Sequence, residues 1–226
     1  MYLSLMSKRL TQWIFQKINK GPEVEPRRLK FAKNLKSIRS KSSGVWLDLG
    51  AGSGTYLKFM NEKSFGLDIK QNLENKIYSW NFNDKVPVKY AATVDIIWCS
   101  ALIEHVLRPH EFLVEIKKFL KHDGVIIITG PLTHMFNPLY LSGTYHGDHV
   151  NFFNAKTLRL TIERAGYEVV FEGSPSFKKI GQKIYFISPN IMIVARPILN
   201  FQYPNSAHKY LDKNQNIQFK EENFGH

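Results

Sequence analysis

The chain has 226 residues, an ordinary 43% apolar content and a formal charge of +12, enough for one domain with a real core. A single cysteine, Cys99, excludes an internal disulfide and fits a reducing, cytoplasmic compartment. No apolar run approaches the roughly 20 residues of a membrane span, and the N-terminus lacks a signal peptide's apolar core and cleavage site.

Residues 2–18 place Leu3, Met6, Leu10, Trp13, Ile14 and Ile18 at three- and four-residue intervals, which predicts an amphipathic helix. We read it as a cover over the ligand cleft, with peripheral membrane contact as the alternative. Residues 19–26 (NKGPEVEP) form a linker. Pro26 suits the start of a second helix, with Leu29, Leu35 and Ile38 inward and Ser42, Ser43 and Gly44 at its end. The basic residues are scattered rather than run together, so the charge reads as a solvated surface.

Val45 to Gly54 (VWLDLGAGSG) is an apolar strand running into glycines two apart. Glycine is needed where φ is positive or where a ligand meets bare backbone, and this turn opens a predicted helix over 55–62. A dinucleotide fingerprint would put Gly or Ala where Thr55 stands. A phosphate-binding loop would need a Lys after Gly54. Phe65 to Ile69 is a second strand ending in an acid, Asp68, placed to accept ribose hydroxyls. Further strands are predicted at 76–80, 94–99, 124–129, 167–171 and 191–195, and helices at 109–121 and 155–165. The run Val125-Ile126-Ile127-Ile128 suits a strand buried on both faces. This alternation predicts parallel strands with right-handed crossovers. Residues after Phe201 are polar and only weakly periodic.

The pattern Asp48-x-Gly50-x-Gly52-x-Gly54 resembles motif I of the class I methyltransferases, which bind S-adenosylmethionine. The likeness extends over residues 44–172, through Val94 to Val106, Phe112 to Gly124, and His149-Val150-Asn151-Phe152-Phe153 to Gly166-Tyr167. It implies a Rossmann-like, doubly wound, seven-stranded α/β sheet, mostly parallel with an antiparallel last strand, plus N-terminal helices. We divide the chain into a helical cap (1–40), a methyltransferase domain (41–203) and a polar tail (204–226). Carried over residue by residue, the glycines approach the methionine and ribose parts, and Asp48 orients the methionine amino group. Asp68 holds the ribose and Ile69 packs on adenine. Asn81 stands where many relatives have an Asp near the adenine amine, and Ser100 and Leu102 lie near the methionine moiety.

Around Glu104-His105 the chain also resembles the ubiquinone-biosynthesis O-methyltransferases. Their metal-binding pattern has a second Glu where this chain has Ala101. With that carboxylate missing, no metal is expected. Residues 131–153 form a long connection, a length that in a compact domain points to function. His146, Asp148 and His149 within it suggest a general base with a supporting carboxylate, since histidine's ordinary pKa lies near neutrality. His149, His146 and His105 are therefore the candidate bases. The expected activity is methyl transfer to a small-molecule or glycan/lipid-like acceptor, at a hydroxyl oxygen. A nucleic-acid methyltransferase, supported only by the charge, and a catalytically silent S-adenosylmethionine-binding protein are the alternatives.

Overall fold

In the computed structural model, residues 25–131, 149–173, 177–180, 183–186 and 190–202 are described. The expected helix at 2–18, His146 and the tail at 204–226 lie outside them. The chain opens with α1 (Arg27–Asn34) and α2 (Lys36–Arg39). Five strands follow: β1 (Trp46–Leu49), β2 (Phe65–Asp68), β3 (Ile77–Ser79), β4 (Val94–Ser100) and β5 (Leu120–Pro131). Between β4 and β5 lies α3 (Pro109–Ile116). After β5 come α4 (Ala155–Arg164), β6 (Tyr167–Gly173), a hairpin β7 (Phe177–Ile180) and β8 (Lys183–Phe186), and last β9 (Asn190–Pro197).

Seven of these strands make one sheet in the order β3-β2-β1-β4-β5-β9-β6, and β7 and β8 pair separately. The five strands from β3 to β5 are parallel. β9 slips in antiparallel between β5 and β6. This is the expected sheet, with the last strand reversed.

Side chains alternate across each strand, and both faces are buried. Leu47 and Leu49 join Ile97, Cys99, Ile126 and Ile128 on one face, covered by Phe112, Leu113 and Ile116 of α3 and Leu158 and Ile162 of α4. Trp46 joins Ile96, Trp98, Val125 and Ile127 on the other, covered by Leu29, Ala32 and Ile38. Double coverage is why residues 96–99 of β4 and 125–128 of β5 read as unbroken apolar runs. At roughly 25 cal/mol per Å2 of apolar area, each fully buried Ile or Leu adds about 1.5–3 kcal/mol before entropy is counted.

Three helices differ from expectation. Over 55–62 only a three-residue 3-10 turn forms, Leu57–Phe59. The segment is pinned at both ends. Tyr56 lies against Trp98, with ring centroids 5.1 Å apart, and Asn61 donates to the Gly44 carbonyl at 2.5 Å. Between these anchors Phe59 and Met60 bond three residues back, at 3.0 Å each, the tighter pattern used in short pieces. The helix begun at Pro26 breaks at Leu35, whose ψ of 137° is extended, so its inward residues sit on two short pieces. The expected 109–121 helix ends at Ile116 and tightens through Lys117–Phe119, so that β5 begins at Leu120 rather than 124.

Candidate functional site

The carboxyl ends of the parallel strands gather the sequence-predicted residues. β1 ends in a corner whose three glycines all have positive φ: Gly50 at 73°, Gly52 at 53° and Gly54 at 82°. L-residues with a Cβ rarely adopt this region. The corner is held from β2: Gly50 N–H donates to the Leu67 carbonyl at 2.9 Å, and Gly52 N–H donates to Asp68 Oδ2 at 2.9 Å. Asp68 Oδ1 also accepts from the Lys70 N–H at 3.1 Å. Asp68 thus braces the loop from the end of β2. A Cβ built at Gly52 would meet nothing within 4 Å, so this stretch of backbone faces open space. Sequence reasoning missed Gly66, where a Cβ would lie 2.6 Å from that of Ala51 and 3.0 Å from Leu57. Its absence lets the loop cross β2. A glycine inside an apolar strand was the signal.

Asp48, two residues before Gly50, is 1% exposed, and its Oδ2 has no hydrogen-bond partner among the described residues. Burial, and then the nearby Asp68, push its carboxyl up to about 8. An orphaned acid beside a bare glycine loop is a fit for a ligand that carries a cationic or donor group. Ile69 and Leu73 stay 65% and 61% exposed beyond the end of β2, an apolar surface suited to a planar ring. Asn81, also exposed, spends its side-chain oxygen on the backbone and side chain of Asn83, at 3.0 and 3.2 Å. Leu102 lies beneath Gly50, 3.1 Å from a Cβ built there, and props the corner from β4's side. Ser100 joins a hydroxyl chain that sequence reasoning did not foresee: Thr129 at 2.8 Å on one side and Tyr56 at 3.3 Å on the other.

Past β4 the chain turns sharply at Ala101, which takes a positive φ of 53°. A short turn then carries Glu104 and His105. Glu104 is 3% exposed, and its Oε2 lies 3.5 Å from a Cβ built at Gly130 on β5. The loop before α4 comes to meet it: the N–H groups of Val150 and Asn151 both donate to the Glu104 carbonyl at 3.0 Å. Asn151 Nδ2 donates to the Val106 carbonyl at 2.5 Å. His149 therefore lands beside His105, with ring centroids 4.6 Å apart and planes at 83°. Donor atoms of Glu104, His105 and His149 all lie within 4.8 Å of one another. Reading His105 with Ala101, and His149 with His146 and Asp148, hid this grouping.

The methyltransferase domain family matches residues 24–172. Solved structures share the fold. An S-adenosylmethionine-dependent methyltransferase from Clostridium acetobutylicum is 11% identical, with 85% of this chain and 99% of that one covered, at a TM-score of 0.58. Another from Thermotoga maritima is 17% identical, covering 75% and 87%, at 0.56. A chain from the Haloferax volcanii complex of the Trm112 activator with its methyltransferase is 17% identical, covering 71% and 85%, at 0.57. Among curated proteins none matches the chain.

Proposed function

This chain belongs to the methyltransferase domain family and uses S-adenosylmethionine, and on that premise we propose that it methylates a hydroxyl oxygen of a small-molecule or glycan/lipid-like acceptor in the cytoplasm. The cofactor, when bound, supplies an electrophilic methyl group on a good leaving group. The residues that would hold it are Asp48, Gly50, Gly52, Gly54, Asp68, Ile69, Asn81, Ser100 and Leu102. Asp68 and the Gly52 backbone meet the ribose, Ile69 the adenine, and Asp48 the amino group. The chain's own contribution is alignment and exclusion of water.

The observation that carries the acceptor assignment is the grouping of Glu104, His105 and His149 within 4.8 Å, next in the chain to the Leu102 that props the glycine corner. An acceptor hydroxyl must lose its proton as it is methylated, and a histidine pair beside a carboxylate eases that loss. His149 is assigned the leading part and His105 the supporting one; His146 lies outside the described residues. Leu107, Val150 and Phe152, the near sequence neighbours of the two histidines, are 68%, 53% and 48% exposed. They offer an apolar rim for the non-polar body of such an acceptor. His149→Ala should lower turnover about 10²–10⁴-fold while calorimetry finds cofactor affinity unchanged. Normal turnover in that variant ends this reading of the acceptor end.

A further inference from the structure

We infer that the hairpin of β7 and β8 holds a phosphate monoester carried by the acceptor, through Lys178 and Lys183. The inference deepens the proposed function by giving the acceptor a charge, and it rests on reading the cluster of Glu104, His105 and His149 as the acceptor end.

The topology fixes where the hairpin is tethered. Three residues join Gly173 of β6 to Phe177, and three join Phe186 to Asn190 of β9. Even fully extended, each link reaches no further than about 14 Å. Gly173 lies level with Met192, and Asn190 with Pro131 at the end of β5. The neighbouring pair is Gly130 with Ile191, and Gly130 is the residue that Glu104 approaches, its Oε2 being 3.5 Å from a Cβ built there. Both ends of the hairpin are therefore rooted beside the histidine cluster.

The pairing then sorts its residues. The register sets Lys178 opposite Tyr185 and Ile180 opposite Lys183. Opposed residues share a face, and so do residues two apart along a strand. Lys178 and Lys183 are thus diagonal neighbours on one face, roughly 7–8 Å apart. Lys179 falls on the other face, with Phe177, Ile184 and Phe186. Two ammonium groups that each donate at about 2.8 Å to different oxygens of one phosphate ask for a spacing of this order. No acid occurs between Glu172 and Asp212, so the stretch supplies no counter-charge of its own. Like charges at neighbouring positions repel, and an anion between them turns that repulsion into attraction. Charge also separates phosphate from carboxylate. A phosphate monoester carries about −1.5 to −2 near neutrality, which matches two lysines. Lysine serves as a point charge towards it and needs no fixed fork.

The test uses the full chain saturated with S-adenosylhomocysteine. It is titrated by calorimetry with inorganic phosphate, and in a second arm mixed with phosphatidylcholine vesicles with and without phosphatidic acid. Phosphate should bind at least about tenfold more weakly in Lys178→Gln and in Lys183→Gln. Lys179→Gln removes a like charge from the other face and should leave the affinity unchanged. That order in solution assigns a soluble phosphate ester, and the same order on phosphatidic acid vesicles alone assigns a lipid-borne one. Equal loss in all three variants, or no binding in either arm, overturns the site. The hairpin pairs apart from the seven-stranded sheet, so all three variants should keep the wild-type melting temperature, which guards against loss by misfolding. If no phosphate binds and His149→Ala still abolishes turnover, the inference falls and the acceptor assignment stands. If phosphate binds in the expected order and His149→Ala turns over normally, the lysine pair stands and the assignment of the histidines falls.

Discussion

Two corners of the same sheet end do different jobs with different materials. At the ends of β1 and β2 the groups presented are main-chain atoms, bared by three glycines and braced by Asp68 through Gly52. At the ends of β4 and β5 they are side chains, Glu104, His105 and His149, converging from two loops. A backbone cradle has no chemistry to swap, since any Cβ at Gly50, Gly52 or Gly54 meets a positive φ. A side-chain cluster can be re-equipped one residue at a time. The contrast explains how one cofactor platform serves many acceptors across a fold.

The comparison can be broken at the cradle. Asp68→Ala removes a charged acceptor and the brace on Gly52 together. A charge-assisted bond is worth about 1.5–3 kcal/mol, so cofactor affinity by calorimetry should fall about 10–100-fold. Affinity unchanged in that variant would show that the loop holds itself and that the ribose is met elsewhere. Gly66→Ala probes the support beneath. Its Cβ would lie 2.6 Å from that of Ala51, an overpacking that costs about 1–3 kcal/mol. Urea melts should show the loss, and wild-type stability would mean that the corner can slide over β2.

The finest distinction concerns Asp48. Its carboxyl is raised from 3.8 to about 8 in the folded chain, so folding takes up a proton between those values. Stability contributed by the neutral acid is fully present at low pH and is lost as pH rises towards about 8. A cationic amino group docking on Asp48 favours the charged form instead. Cofactor affinity should therefore climb with pH, up to about tenfold per unit between roughly 6 and 8, then level. Asp48→Asn should flatten both profiles. A slope kept in Asp48→Asn assigns the proton to another group.

The glycine cradle was legible because its constraint is local: φ, spacing and a strand in front all sit within ten residues of sequence. The centre of β5, Val125 to Ile128, was legible because burial on both faces leaves no polar position to interrupt it, whereas its polar start, Lys121 to Asp123, was not. The short turn at Leu57–Phe59 was not, because Tyr56 and Asn61 are pinned by Trp98 and Gly44, partners far off in the chain. Nor was the break at Leu35, where the apolar spacing continues but the backbone does not. The cluster of Glu104, His105 and His149 was half legible. His105 and His149 stood out singly, but nothing in the spacing says that residues 44 positions apart come together once Val150 bonds to Glu104.

The interleaving of β9 between β5 and β6 has a consequence for the nascent chain. β5 is complete at Pro131, but its outer edge waits for β9, which starts at Asn190. During synthesis at about 5–20 residues per second, that gap leaves an isoleucine-rich border unclaimed for some 3–12 s. Until the late strand arrives, this border is a template for pairing with any other extended chain. A ribosome-bound intermediate stalled before residue 190 is therefore the species that holdase chaperones should find first.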